Sequence, residues 1–192
     1  MKLQLFIVSL ILLIIFLTIY WINRKNGLYI KSNIDEHYYY VSDLPNKQEI
    51  ADLLAKTKLN IKKLLNYLNA HQNPKYKDYV DRLNDKINSV SIIENTSKNL
   101  YTSYSVNKGE ELVICVRSRK TGELHNINLI MYVVLHEIAH IMCPEYGHGK
   151  LFQRIFKYVT KSATECGLYY PIDFKNNPTE YCGLTINSNI ID

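Results

Sequence analysis

The sequence predicts an α+β protein behind an N-terminal apolar helix, and three patterns lead there. Apolar residues recur at three and four through residues 46 to 70, two β-rich runs bracket a glycine turn between Leu100 and Arg117, and a stretch from Leu129 to Met142 is apolar nearly all round a helix. With 192 residues, 47% of them hydrophobic, the chain can bury one core. No repeat or low-complexity run divides it. The expected organisation is an anchor over 1–25, a linker over 26–44 and one domain over 45–192.

The anchor is read from Leu3 to Ile22, where Gln4, Ser9 and Thr18 are the polar interruptions. About twenty residues at roughly 1.5 Å each span about 30 Å, the thickness of a bilayer's hydrocarbon core. Tyr20 and Trp21 suit an aromatic belt, and Arg24 and Lys25 a polar stop. A cleaved signal peptide is the alternative, but it would have a shorter core and a small-x-small cleavage site, which is absent. Orientation stays open, because Lys2 and the α-amino group nearly balance Arg24, Lys25 and Lys31.

Residues 26–44 are polar around Tyr38-Tyr39-Tyr40 and read as a linker. Pro45 suits a first helical turn, and Ile50, Leu53, Leu54, Ile61, Leu64, Leu65 and Leu68 give the helix over 46–70 its face. A shorter helix near 76–90 follows Asn73-Pro74, with Val80, Leu83 and Ile87 on one side. Tyr101–Val106 and Leu112–Arg117, joined through Asn107-Lys108-Gly109, read as a hairpin. Asn126 or Asn128 caps the apolar helix, which Pro144 ends.

The formal net charge is +5, but the basic residues are interleaved with acidic ones. Lys56, Lys58, Lys62 and Lys63 read as the wet side of a helix, so a nucleic-acid partner is not indicated. Cys115, Cys143, Cys166 and Cys182 are too far apart for a C-x-x-C pair; they permit two disulfides and require none.

Within the apolar helix the polar residues are His136, Glu137 and His140. Histidines four apart lie one above the other on one face and can share a cation, and Glu137, rotated by one residue, can reach a water on that cation without binding the metal. Two satisfied core histidines beside a carboxylate would instead leave a charge buried without compensation, at a cost of several kcal/mol. A catalytic zinc needs a third ligand and an open fourth position. His148, between Gly147 and Gly149, is the candidate; Glu145 and Glu165 are its rivals. His125, His71 and His37 sit in polar or turn contexts and read as surface residues.

His136-Glu137-Ile138-Ala139-His140 followed by Gly147-His148-Gly149-Lys150-Leu151-Phe152 resembles the SprT-like and WLM (Wss1p-like) zincin metallopeptidases. The resemblance covers roughly residues 100–159 and implies a zincin-like fold, one Zn2+ per chain on His136, His140 and His148, and Glu137 as catalytic base. Seven residues, rather than the five of metzincins, separate His140 from His148. Tyr170–Phe174 through Tyr181-Cys182-Gly183 resembles the tail of short anchored WLM-like proteins of large DNA viruses, which implies a host or virion membrane. Some members of the family are DNA-dependent; this chain has neither a basic tail nor a zinc ribbon to match them.

The expected function is therefore a membrane-anchored zinc endopeptidase acting on a protein or peptide, with Tyr146, Tyr169, Tyr170 and Tyr181 as candidates for an oxyanion partner. The alternative is a membrane structural or assembly protein that keeps zinc for stability.

Overall fold

A computed structural model describes residues 2–23, 27–96 and 101–191. It is mixed α+β, with five α-helices and three small sheets. Helix α1 covers Lys2–Asn23. Its described side chains, Ile7 and residues 9–18, are exposed and extend about 16 Å. Among the described residues no helix is long and apolar enough to cross a membrane. The remainder of the expected Leu3–Ile22 span lies outside the described side chains, and residues 24–26 outside the described residues.

The expected linker is instead a hairpin, β1 (Gly27–Lys31) with β2 (Tyr38–Ser42), paired from Gly27–Ser42 to Lys31–Tyr38. Its inward residues Tyr39 and Val41 are buried, so two alternate positions in a polar stretch recruit it to the core. Helix α2 (Lys47–Ala70) buries the expected leucine and isoleucine face, except Leu53, which is half-buried. Helix α3 (Lys77–Ile87) stops short of the expected residue 90 and buries Val80, Leu83 and Ile87.

Strand β3 (Ser91–Glu94), which the sequence reading did not anticipate, runs parallel to β5 (Glu111–Ile114), while β4 (Tyr104–Val106) pairs antiparallel with β5 on its other side. This makes β5 central and β4 an edge strand. The β4–β5 turn uses positive φ at Asn107, Lys108 and Gly109, as a tight reversal matched to strand twist requires. Glu94, buried, accepts from the Arg117 guanidinium at 3.2 Å and from the Ser42 amide, and Arg117 also donates to Asn46. One ion pair thus fastens the sheet to the hairpin and to the start of α2.

Helix α4 (Ile127–Met142) is capped by the Asn126 side chain, which accepts from the Asn128 amide at 2.8 Å. Helix α5 (Lys150–Glu165) packs across it through Phe152, Ile155, Phe156 and Val159. The chain then returns as a tail with a short hairpin, β6 (Thr179–Tyr181) and β7 (Leu184–Ile186). A disulfide joins Cys115, just past β5, to Cys182 in that hairpin; Cys143 and Cys166 are free thiols.

Candidate metal centre

The buried environment of α4 aims His136 and His140 out of its one open side, and the turn after Cys143 brings His148 to meet them. Gly147 has φ +77°, a left-handed conformation that would strain any other residue, and open space surrounds it. Its glycine is therefore needed for chain direction alone.

The three Nε2 atoms form a near-equilateral triangle with sides of 3.1, 3.1 and 3.0 Å. Tetrahedral zinc with Zn–N of about 2.0–2.1 Å sets ligand nitrogens roughly 3.3 Å apart, so the triangle lies within about 0.3 Å of a metal site. A ring of hydrogen bonds is a poorer account, since corners near 60° would bend each N–H far from its acceptor. His136, His140 and His148 are the group of ligating side chains able to hold a metal among the described residues. Neither rival joins them: Glu145 lies beside the loop, and Glu165, about 22 Å along α5, accepts from Tyr67 at 3.0 Å.

Burial, then the neighbouring rings His140 and His148, push the His136 pKa down to about 3. Burial, then His148 and Lys108, push that of His140 down to about 4. Both rings are thus neutral at physiological pH, the form in which imidazole can ligate a metal. Phe152 touches all three imidazoles, with centroids 4.2 Å from His140, 4.8 Å from His148 and 4.9 Å from His136. It forms an apolar floor that fixes their tilt and keeps solvent from that side.

Glu137 is buried and its pKa is raised to about 7 by that burial, against the opposing effect of hydrogen bonds from the Ser105 amide and hydroxyl. It is therefore tied to edge strand β4. On the helix's far end, the Lys108 ammonium reaches the carbonyls of Cys143 (3.0 Å), Pro144 (2.7 Å) and Glu145 (3.3 Å) and lies 4.2 Å from the Tyr146 ring. The β4–β5 turn thereby holds the loop that carries His148.

A cleft passes the histidines in two arms that share Ser103, His136, Glu137 and His148. One, of about 440 Å³, is walled by Tyr132, Val133, Phe156, Leu184, Ile186 and Ile190 and is largely apolar. The other, of about 490 Å³, carries Tyr104, Lys108, Glu145 and Tyr146 and is the more polar of the two. The tail forms one wall of the apolar arm, held by an Ile190 amide bond to the Tyr132 hydroxyl at 3.2 Å and by Tyr181.

Of the four tyrosines considered from sequence, Tyr181 and Tyr146 line the cleft. Tyr169 is packed in the core against Tyr132, and Tyr170 pairs through its backbone with Asn128. Tyr181 donates to the Cys115 carbonyl at 2.7 Å and accepts from Ser103, whose oxygen takes the Cys115 amide, so its proton is committed. His37 and His71 lie at the surface as expected. His125 does not: half-buried, it stacks on Tyr181 and accepts the Cys182 amide beside the disulfide. Ser103, Ser105 and Lys108 were not anticipated as parts of the site; their signal in sequence was only membership of the hairpin before the motif.

Among known proteins the chain is similar along almost its whole length to an uncharacterized protein, R325, of Acanthamoeba polyphaga mimivirus. The two are 40% identical over 186 residues, 94% of each chain. The chain belongs to the family of this mimivirus protein. Shorter matches to this chain come from uncharacterized proteins of Invertebrate iridescent virus 6, 39% identical over 69 residues (35% of this chain, 38% of that one), and of Invertebrate iridescent virus 3, 32% over 107 residues (55% and 62%). No family model matches, and no solved structure does.

Proposed function

We propose that this protein is a zinc-dependent endopeptidase of the SprT-like or WLM kind, with a zincin-like catalytic domain held at a membrane by α1. The observation that carries the reading is the triangle of Nε2 atoms with a buried carboxylate one residue along the same helix. The apolar run of the sequence from Leu3 to Ile22 is what supports the anchor.

When bound to His136, His140 and His148, zinc would supply a Lewis acid that polarises a carbonyl and acidifies water. Glu137 takes the proton of the attacking water and passes it to the leaving amine; its raised pKa near 7 suits both steps. Ser105 aims that carboxylate. The apolar arm accepts a hydrophobic side chain of the substrate, and Phe152 excludes water behind the ligands. For the oxyanion partner we choose Tyr146, 90% exposed at the polar arm, because the proton of Tyr181 is committed elsewhere.

The other reading, a zinc brace in a structural or assembly protein, is favoured by the double tie between Ser105 and Glu137, which links β4 to α4. Glu137→Gln in the full-length chain separates the two. A peptidase variant should keep its zinc and melting temperature and lose peptide cleavage by about 10²-fold or more, while His136→Ala should lose zinc as well. Undiminished cleavage in Glu137→Gln would sink the hydrolytic reading, and no cleavage of any peptide by the wild-type chain would leave the brace.

A further inference from the structure

We infer that the outer face of α5 is a subsite for an acidic segment of the polypeptide substrate, continuous with the apolar arm of the cleft. This rests on the peptidase reading above and adds a substrate class to it.

Lys150, Arg154, Lys157 and Lys161 follow one another at four, three and four, which at 100° per residue places them in a single stripe opposite the buried Phe152, Ile155, Phe156 and Val159. The stripe is not flat. Lys150, Gln153, Arg154, Lys157 and Ile190 line an open depression of about 450 Å³ with no acidic residue in its lining among the described residues. Gln153 and Ile190 are also walls of the apolar arm, so an extended chain leaving that arm crosses them into the basic depression. Gln153 is held there by donating to the His148 carbonyl at 3.1 Å.

Like charges four apart, as at Lys150 and Arg154, destabilise a helix, and neither of these two has an acidic partner among the described residues to offset this. An acidic ligand would offset the repulsion between Lys150 and Arg154. The polar arm does not offer the same chemistry, because Lys108 is engaged with three carbonyls and Glu145 brings a negative charge. The preference is therefore one-sided. Lys150 to Lys157 rises about 10.5 Å, the reach of about three extended residues.

The test uses the zinc-loaded full-length chain carrying Glu137→Gln, so that labelled peptides bind without turnover. Three ten-residue probes each contain one leucine, with three glutamates on its C-terminal side, three on its N-terminal side, or three glutamines instead. Fluorescence anisotropy at low and physiological salt should show one acidic probe binding at least tenfold tighter than the other two. Lys150→Glu with Arg154→Glu should abolish that advantage, and the milder Lys150→Gln with Arg154→Gln should reduce it with zinc content and melting temperature unchanged. Lys161→Glu, on the stripe but outside the depression, should leave it intact.

Equal affinity for all three probes would overturn the subsite, as would equal gains from glutamates on either side. A single-stranded oligonucleotide that binds through Lys150 and Arg154 while the acidic probes do not would overturn it too, in favour of a nucleic-acid partner. Cleavage by the wild-type chain is scored separately. Cleavage indifferent to charge would remove the subsite and leave the peptidase; selective binding without any cleavage would remove the peptidase and leave the subsite.

Discussion

From His136 to His148 the histidine side of the cleft is made within twelve positions of chain, whereas the facing tail is fastened over separations of 58, 66 and 67 residues, by Ile190 to Tyr132, Tyr181 to Cys115 and Cys182 to Cys115. The first region owes its geometry to a helical repeat and one glycine turn. The second owes its geometry to partners that exist only after the rest of the chain has folded. The chemistry and the shape of the cleft should therefore fail independently.

Phe152→Ala breaks the local side. Removing a buried ring that contacts all three imidazoles should cost about 3–5 kcal/mol, read as a lowered denaturation midpoint, and should weaken zinc in a chelator competition. Zinc affinity equal to wild type would mean that the ligands need no floor. Cys182→Ser breaks the distant side: opening a loop of 67 residues should cost about 4 kcal/mol on chain entropy. Zinc content should stay at one per chain while KM for peptides rises, because the tail walling the apolar arm is released. Loss of zinc in this variant would show that the two regions are coupled.

The smallest effect sharpens the local side. In the chelated protein His136 and His140, with pKa values held near 3 and 4, take up protons on unfolding below their ordinary 6.5, which destabilises the fold as pH falls. Glu137 acts oppositely, since its folded value near 7 exceeds the ordinary 4.5 and it releases a proton on unfolding between them. Near pH 5.5 the net uptake should be about one proton, so stability rises with pH from about 5 to 6 and levels off near 7. Glu137→Gln should steepen that rise to about two protons. Denaturant midpoints at three pH values check both, and an unchanged slope in the variant would assign Glu137 an ordinary pKa.

Legibility in the sequence follows the same division. His136, Glu137 and His140 could be placed on one helix because helical spacing is a local property, and Asn126 and Pro144 marked that helix's ends. His148 was legible from its two glycines. Ser105 and Lys108 were not, since what they do depends on a strand edge and a turn meeting α4. The tail's Leu184, Ile186 and Ile190 carry no period that names their partner, and four cysteines do not reveal which two will meet. The hairpin over 27–42 read as linker because only Tyr39 and Val41 turn inward and its tyrosines otherwise face out or halfway out.

Lys108 gives the histidine cluster a thermodynamic property beyond its geometry. By holding three successive carbonyls at the end of α4, it fixes the Cys143–Glu145 backbone as part of folding. Ordering each of those residues costs roughly 1–2 kcal/mol of conformational entropy. Since that cost is met when the β4–β5 turn docks, it would not be subtracted from the free energy of capturing a metal, and the start of the loop that carries the third imidazole is already ordered.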